Sequence, residues 1–495
     1  MAEHYKPLKY KAWEMSLEER FQEYHPPLTE REAVLEANRC LYCYDAPCMV
    51  ACPTHIDIPT FIRKISTGNV RGSAKTILEA NLMGATCSRV CPVEELCEGA
   101  CVLAHDHKPI MIGRLQRYAM DYAAERKVKF FEAGKKNGFK VAVVGAGPAG
   151  LSCAGELAKL GFDVTCFEKK EWAGGLDTYG IVVFREPVEV SLSEVKLVED
   201  LGVKIKTNVT VGKDIQFDEL LNQFDVVFVS VGLGNVPKMG IAGEDLEGVV
   251  DGLEFIEETK VKPLSEIKYG KRICVIGAGN TAIDCATIAR RLGSERVMMV
   301  YRRSEAEMPA YHFEYEFALK EGVSFMFLTQ PVEIIGNGGK VEAIKCVRMD
   351  LGEPDESGRR IPVPILGSEF ITHCDMVIMA IGQLKHSDFM AKLKEYGVKS
   401  YKGYIAVDPK TNRTDHPKIF AGGDCIRSKG EASTVMAVQD GKIAARAIYE
   451  QLVGQEFPEG TLKTSTDMTI NPSQVVSPNG HAHKEQAEVT AKSKA

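Results

Sequence analysis

The chain has 495 residues, 45% of them hydrophobic and 26% charged, with a net charge of −7; that is the balance of a globular protein with room for about three domains. The negative charge gives no electrostatic case for nucleic acid or an anionic membrane, and no apolar run approaches the roughly 18 residues that span a bilayer. With no apolar signal region at the N-terminus, the fifteen cysteines argue for a cytoplasmic protein whose thiols are reduced or bound to metal.

The first 135 or so residues read as helices and loops without a clear strand. Thr29, with Glu32 three residues on, starts a capped helix running into Cys40. Asp57 before Pro59 and the apolar Phe61, Ile62 and Ile65 starts another. Eight cysteines fall here in two tetrads: Cys40, Cys43, Cys48 and Cys52 followed by Pro53, then Cys87, Cys91, Cys97 and Cys101. Iron in a cluster wants four such ligands, and these spacings look like ferredoxin-type runs. Structural zinc also takes four cysteines, but more often as two C-x2-C knuckles separated by about 12–20 residues.

Lys135 to Gly138 reads as a linker. Lys140-Val-Ala-Val-Val-Gly145 is then a buried strand entering a glycine loop, followed by a helix over Leu151 to Leu160 and a strand ending at Glu168. The loop Gly145, Gly147, Pro148, Ala149, Gly150 lets the backbone approach a pyrophosphate seated on the helix N-terminus, and Glu168 stands where an acid holds ribose hydroxyls. Gly174-Gly175-Leu176 and the distant Gly423 and Asp424, with the helix start near Thr434, would finish an FAD site. A near copy begins at Arg272 and passes through Gly277, Gly279, Asn280, Thr281 and Ala282, with a second strand ending at Tyr301-Arg302-Arg303. Alanine at the third loop position is a common variant for nicotinamide cofactors, and two guanidiniums in place of an acid favour a 2′-phosphate, hence NADPH over NADH. Met376 to Gly382 is a further buried strand whose closing Gly382 counts among the cofactor-binding positions, and a helix is expected from about Ser433 to Leu452. From about Ser465 the polar composition predicts disorder.

The expected fold is therefore α/β. An N-terminal α-helical di-cluster iron–sulfur domain (1–135) precedes two Rossmann-like dinucleotide-binding domains: an FAD unit (136–250 and 382–455) and, inserted in it, an NAD(P)H unit (251–381). Residues 456–495 form the tail. The remaining cysteines, Cys153, Cys166, Cys274, Cys285, Cys346, Cys374 and Cys425, lack C-x-x-C pairing and read as buried small hydrophobes. His105 and His107 read as surface residues. No nucleophile or general base stands out.

Asn38 to Cys43, Ala46-Pro-Cys48, Cys52-Pro-Thr54, Cys87 to Cys101, the two glycine loops, Gly174 to Gly180, Tyr301 to Arg303 and Ala421 to Asp424 together resemble the N-terminal half of dihydropyrimidine dehydrogenase over about residues 30–450. The chain looks closest to the separate bacterial subunit matching that half, and is more distantly similar to the glutamate synthase small subunit. The resemblance implies crossed ligation: Cys40, Cys43, Cys48 and Cys101 on one [4Fe–4S] cluster, and Cys52, Cys91, Cys97 and the side-chain oxygen of Gln116 on the other. Cys87 is then a spectator that spacing alone would have enlisted. Glutamate synthase small subunits tend to carry Glu where Gln116 stands, which tips the balance toward the pyrimidine enzyme. Arg185 matches a flavin-contacting arginine, although Ile181-Val-Val-Phe-Arg-Glu-Pro187 departs from the family's Ile-Pro-x-Phe-Arg-Leu-Pro. The implied role is electron input from NAD(P)H to a partner subunit carrying FMN, because nothing in this chain corresponds to the pyrimidine-reducing half.

Overall fold

A computed structural model describes residues 15–355, 358–427 and 432–458; the polar stretch from Ser465, expected to be disordered, lies outside them. Side-chain caps decide where the N-terminal helices begin. α1 (Leu17–Arg20) and α2 (Glu30–Ala37) both open on a capping box. In α2, Thr29 Oγ1 accepts the Glu32 amide at 3.3 Å while the Glu32 carboxylate accepts the Thr29 amide at 2.8 Å. α3 (Pro47–Ala51) is one turn carrying Cys48. α4 (Ile58–Ser66) starts at Asp57, α5 (Val70–Ala80) at Asn69, and α6 (Gly84–Val90) and α7 (Ile112–Glu125) complete the region. Their apolar stripes meet in a core of Phe61, Ile62, Ile65, Ile77 and Leu115, all fully buried; each such side chain contributes about 1.5–3 kcal/mol.

Beyond it, β1 (Lys140–Val144), β2 (Asp163–Phe167), β3 (Lys204–Lys206) and β4 (Val226–Val229) form a parallel sheet. α8 (Pro148–Lys159), the short α9 (Leu176–Tyr179), α10 (Val188–Asp200) and α11 (Phe217–Gln223) cross between them. The second sheet comprises β5 (Val249–Asp251), β6 (Arg272–Ile276), β7 (Arg296–Val300), β8 (Ser324–Met326) and β13 (Met376–Met379), ordered β5-β13-β6-β7-β8 and parallel throughout. α12 (Gly252–Val261), α13 (Asn280–Leu292) and α14 (His312–Lys320) belong to it. Between β8 and β13 the chain makes an antiparallel sheet that the sequence pattern did not announce: β9 (Thr329–Asn337), the long β10 (Lys340–Pro354), β11 (Arg360–Pro364) and β12 (Phe370–His373).

After α15 (Ser387–Glu395) and a small hairpin of β14 (Ser400–Tyr401) and β15 (Tyr404–Ile405), β16 (Ile419–Ala421) returns to the first sheet. It pairs parallel with β4, giving the order β16-β4-β1-β2-β3. The second dinucleotide fold is thus inserted in the first, and α16 (Thr434–Val453) closes the first by packing along α8. The seven unpaired cysteines, Cys153 to Cys425, are all buried, and His105 and His107 are exposed.

Candidate functional site

Cys40, Cys43, Cys48 and Cys101 line one pocket, partly open to solvent, whose wall is finished by Ile58, Ile62, Ile110 and Ile112. Tyr42, between the first two cysteines, takes the left-handed backbone conformation (φ +53°) and is held by its hydroxyl at 3.1 Å from the Ala37 carbonyl and from Ser66 Oγ. The thiols press on one another: desolvation, then Cys101, Cys40 and Cys43, pushes the Cys48 thiol up to about 12. An iron core held by these four cysteines would supply the positive charge that favours their thiolates. Cys97 is raised by desolvation, by Glu98, and by its neighbours Cys52, Cys91 and Cys48. Cys87, one turn before Cys91 on α6, is buried and hydrogen-bonded to it. Among the described residues no three His, Cys, Asp or Glu side chains converge on a single ion. Gln116 is buried on α7 and its Nε2 donates to the Gly84 carbonyl at 2.7 Å, which fixes the amide and leaves Oε1 as its accepting end.

The first glycine loop lies at the carboxyl end of β1, between β2 and β4, where open α/β sheets bind ligands. Each glycine has its own reason. At Gly145 (φ +94°) a Cβ would sit 2.5 Å from the Ser230 carbonyl oxygen; at Gly150 it would sit 2.1 Å from the Gly145 oxygen. At Gly147 the nearest atom is Gly175 Cα, 3.7 Å away. Gly147 caps α8 without any side chain, so the first amides, beyond Pro148, face open space. Ala149 lies under Gly423, and Leu176 is partly exposed at the start of α9. This cradle of bare backbone fits a pyrophosphate. Glu168 is buried, and its two oxygens accept the amides of Ala146 and Lys170 at 2.9 Å each, bracing the loop from below. Gly423 (φ +77°) donates its amide to Asp440 at 3.0 Å, and Arg427 pairs with the same carboxylate. Desolvation raises the Asp424 carboxyl. Thr434 Oγ1 donates to Asp177 at 2.7 Å.

The second loop repeats the arrangement at β6. A Cβ on Gly277 (φ +131°) would meet the Ala380 oxygen at 2.2 Å, Gly279 caps α13 with no side chain, and Ala282 is fully buried. Asn280 Oδ1 accepts the Tyr311 amide at 3.1 Å, while Thr281 is half-buried and Gly382 exposed. The two arginines expected at the 2′-phosphate part company. Arg302 is exposed, but Arg303 is buried, its guanidinium donating to Asp355 at 3.0 Å and to the Arg360 carbonyl at 2.8 Å. That hairpin already uses the fork, so only Arg302 keeps a free guanidinium. Arg185, read as a flavin contact, holds Glu314 of α14 at 2.5 Å and Asp284 of α13 at 3.5 Å; it clamps the second fold to the first.

Sequence reasoning missed Asp177, Glu186, Glu194 and Lys260, a buried charged group at the seam between α6, α9, α10 and α12. It also missed Lys442, whose buried ammonium donates to the carbonyls of Thr54 (3.0 Å) and Ala80 (2.6 Å), and Gln439, buried with both amide atoms unpartnered. Charged residues inside apolar helices were the available signal, because such groups are almost never fully buried without a partner.

Two family profiles cover the chain: dihydropyrimidine dehydrogenase domain II, 4Fe-4S cluster, over residues 17–128, and pyridine nucleotide-disulphide oxidoreductase over residues 139–441. The glutamate synthase [NADPH] small chain of Escherichia coli K12 is 38% identical across 90% of this chain and 96% of its own length. The NAD-dependent dihydropyrimidine dehydrogenase subunit PreT of the same strain is 36% identical across 87% and 96%. The β subunit of the NADP(+)-dependent formate dehydrogenase of Moorella thermoacetica is 37% identical across 88% of this chain and 63% of its own. Identity therefore does not separate the two families the motifs suggest. Among solved structures, Mycobacterium tuberculosis FprA in complex with NADPH aligns with a TM-score of 0.53 at 21% identity, over 66% of this chain and 88% of that one, a likeness of fold.

Proposed function

Because the chain belongs to the pyridine nucleotide-disulphide oxidoreductase family, among its flavin and iron–sulfur NAD(P)H oxidoreductase subunits, we propose that it is the electron-input subunit of a two-subunit dihydropyrimidine dehydrogenase. In this reading it oxidises NAD(P)H and supplies electrons to an FMN-bearing partner that reduces uracil or thymine. Bound FAD supplies the conversion of electron pairs to single electrons, and the clusters supply single-electron conduction. The protein's own contribution is positioning. Uncapped amides at α8 and α13 receive the two cofactors' phosphates, Arg302 discriminates the 2′-phosphate, and Arg185 keeps the two folds face to face. The observation that carries the pyrimidine assignment is Gln116, buried on α7 with its amide fixed by the Gly84 carbonyl of α6, where the glutamate synthase pattern has an acid. A second reading, the small subunit of glutamate synthase, is favoured by the near-complete alignment at 38% identity. An anaerobic pull-down of the tagged chain from its native cell, assayed for NAD(P)H-dependent uracil loss, decides between them. An FMN-containing partner with that activity supports the first reading. A glutamine-dependent partner would transfer the assignment to the second, and a lone active chain would overturn both. Among the described residues no helix is long and apolar enough to cross a membrane.

A further inference from the structure

Glu186 follows Arg185 and is fully buried. Its Oε1 lies 2.5 Å from Thr86 Oγ1 on α6, and the same hydroxyl lies 2.6 Å from Glu194 Oε2 on α10. A hydroxyl carries one proton and can donate to only one of the two. Glu194 also accepts the Ala85 amide at 2.6 Å and the Thr86 amide at 3.3 Å, so it is the anionic member that receives the hydroxyl proton. The short approach of Glu186 then requires a proton of its own, donated to Thr86 Oγ1. Without it, a bare carboxylate would face a lone pair in the interior, which is costly. Burial outweighs the nearby charges of Lys260 and Arg89, which favour the Glu186 carboxylate. Its Oε2 is buried and unpartnered, and Lys260 of α12 spends its ammonium on the backbone carbonyls of Glu186 (2.7 Å) and Asp177 (3.3 Å). Arg89 of α6 pairs with Glu23 and Asp121, and Asp177 of α9 accepts from Thr434. Burial raises both carboxyls to about 8.

We propose that Glu186 and Glu194, bridged by the Thr86 hydroxyl, hold one exchangeable proton that offsets the charge of electrons crossing between the flavin fold and the Cys52, Cys91, Cys97 group. The inference rests on the electron-input reading. Each NAD(P)H oxidised yields NAD(P)+, two electrons and one proton; the electrons leave to the partner's redox centre, and the proton has to reach water. While an electron's charge is close by, the pair keeps the proton as the Glu186 O–H. When the electron moves on, that bond breaks and the proton passes to solvent. The seam suits this role because α6 carries Cys87 and ends at Cys91, while Arg185 and Asp177 flank the pair on the dinucleotide side.

The test is an anaerobic redox titration of the holoprotein from pH 6 to 9, following flavin absorbance and cluster electron paramagnetic resonance, for the native chain, Glu186→Gln and Glu186→Leu. The flavin potential falls with pH in all three proteins through its own proton uptake; in the native chain the midpoint potential of at least one cluster falls too, by up to a tenfold change in the reduction equilibrium per pH unit, about 59 mV, and both variants lose that cluster slope. An unchanged cluster slope in a variant that retains its cofactors, or no cluster slope in the native chain, overturns the proposal. Gln keeps the volume and a donor for Thr86, so it carries the test if Leu does not load. Stopped-flow reduction by NAD(P)H separates the premises. Clusters that NAD(P)H never reduces would sink the electron-input reading, whereas clusters that are reduced but indifferent to Glu186 sink only the proton site.

Discussion

Two glycines of one loop should fail for different reasons when each is replaced by alanine. Gly147 has φ −81° and ψ −175°, a conformation open to any residue, and an added Cβ would have no neighbour closer than 3.7 Å. Folding should therefore tolerate Gly147→Ala, with a change between zero and about 1 kcal/mol in favour of the folded state, since alanine has less freedom to lose. The methyl group instead fills the gap through which the backbone reaches a phosphate. Losing one charge-assisted hydrogen bond there costs about 1.5–3 kcal/mol, which weakens FAD binding roughly 10- to 100-fold. Gly150→Ala does the reverse. Its Cβ would sit 2.1 Å from the Gly145 oxygen and 2.8 Å from Ser230 Oγ, so α8 must move away from β1, at a cost of about 1–3 kcal/mol. Flavin-free protein of each variant is melted thermally and then titrated with FAD by fluorescence quenching. If Gly147→Ala bound FAD as tightly as the native chain, the phosphate would not approach the loop here and the reasoning would be refuted.

Arg302→Ala should raise KM for NADPH roughly tenfold or more, about 1.4 kcal/mol, and leave NADH unchanged, whereas Arg303→Ala should lower the melting temperature by removing the buried guanidinium's bonds to Asp355 and the Arg360 carbonyl and treat both cofactors alike; equal NADPH losses in steady-state kinetics would return Arg303 to the phosphate site. Cys101→Ser should cost half the bound iron, and Cys87→Ser none, by iron analysis of anaerobically reconstituted protein; loss of a cluster signal in the second variant would make Cys87 a ligand. Burial, opposed by Arg185, raises Asp284 from 3.8 to about 7. The folded state therefore keeps a proton that the unfolded chain gives up, and the stability this contributes is full below about pH 4 and lost as pH rises through about 7. Asp284→Asn should flatten that part of the melting-temperature profile, and an unchanged profile would count against a raised carboxyl.

Local rules made the glycine loops, the caps at Thr29 and Asp57 and the parallel strands readable, because each depends on neighbours a few residues away. The cysteine partition is different. Cys101 joins Cys40, Cys43 and Cys48 only because α4 and the turn before α7 bring it to the same pocket, and no spacing rule contains that. β9 to β12 were missed because the alternation of β10 is broken: Ala343 and Ile344, then Cys346 and Val347, are adjacent buried pairs, with a register shift between Lys345 and Cys346. Arg303 was read as a ligand because its partner, Asp355, arrives from a distant hairpin. Glu186 was visible as a departure from the family string, but only its contact with Thr86, a hundred residues earlier, shows what the change does.

The insertion of one dinucleotide fold into the other orders events during synthesis. Every strand of the second sheet, from Val249 to Met379, leaves the ribosome before β16 exists. The inserted unit can close on itself while the first sheet still lacks its edge strand, and α8 waits for the helix that will cover it. The first glycine loop is therefore built early and completed late, since Gly423 and α16 reach it across nearly three hundred residues. Long-range closure of this kind is slow, and until it happens the apolar side of α8 stays open to chaperones and to aggregation. Flavin, bound at the junction of early and late segments, would act as a template for the last step, and a cell short of flavin would accumulate chains with a finished nicotinamide fold and an open one beside it.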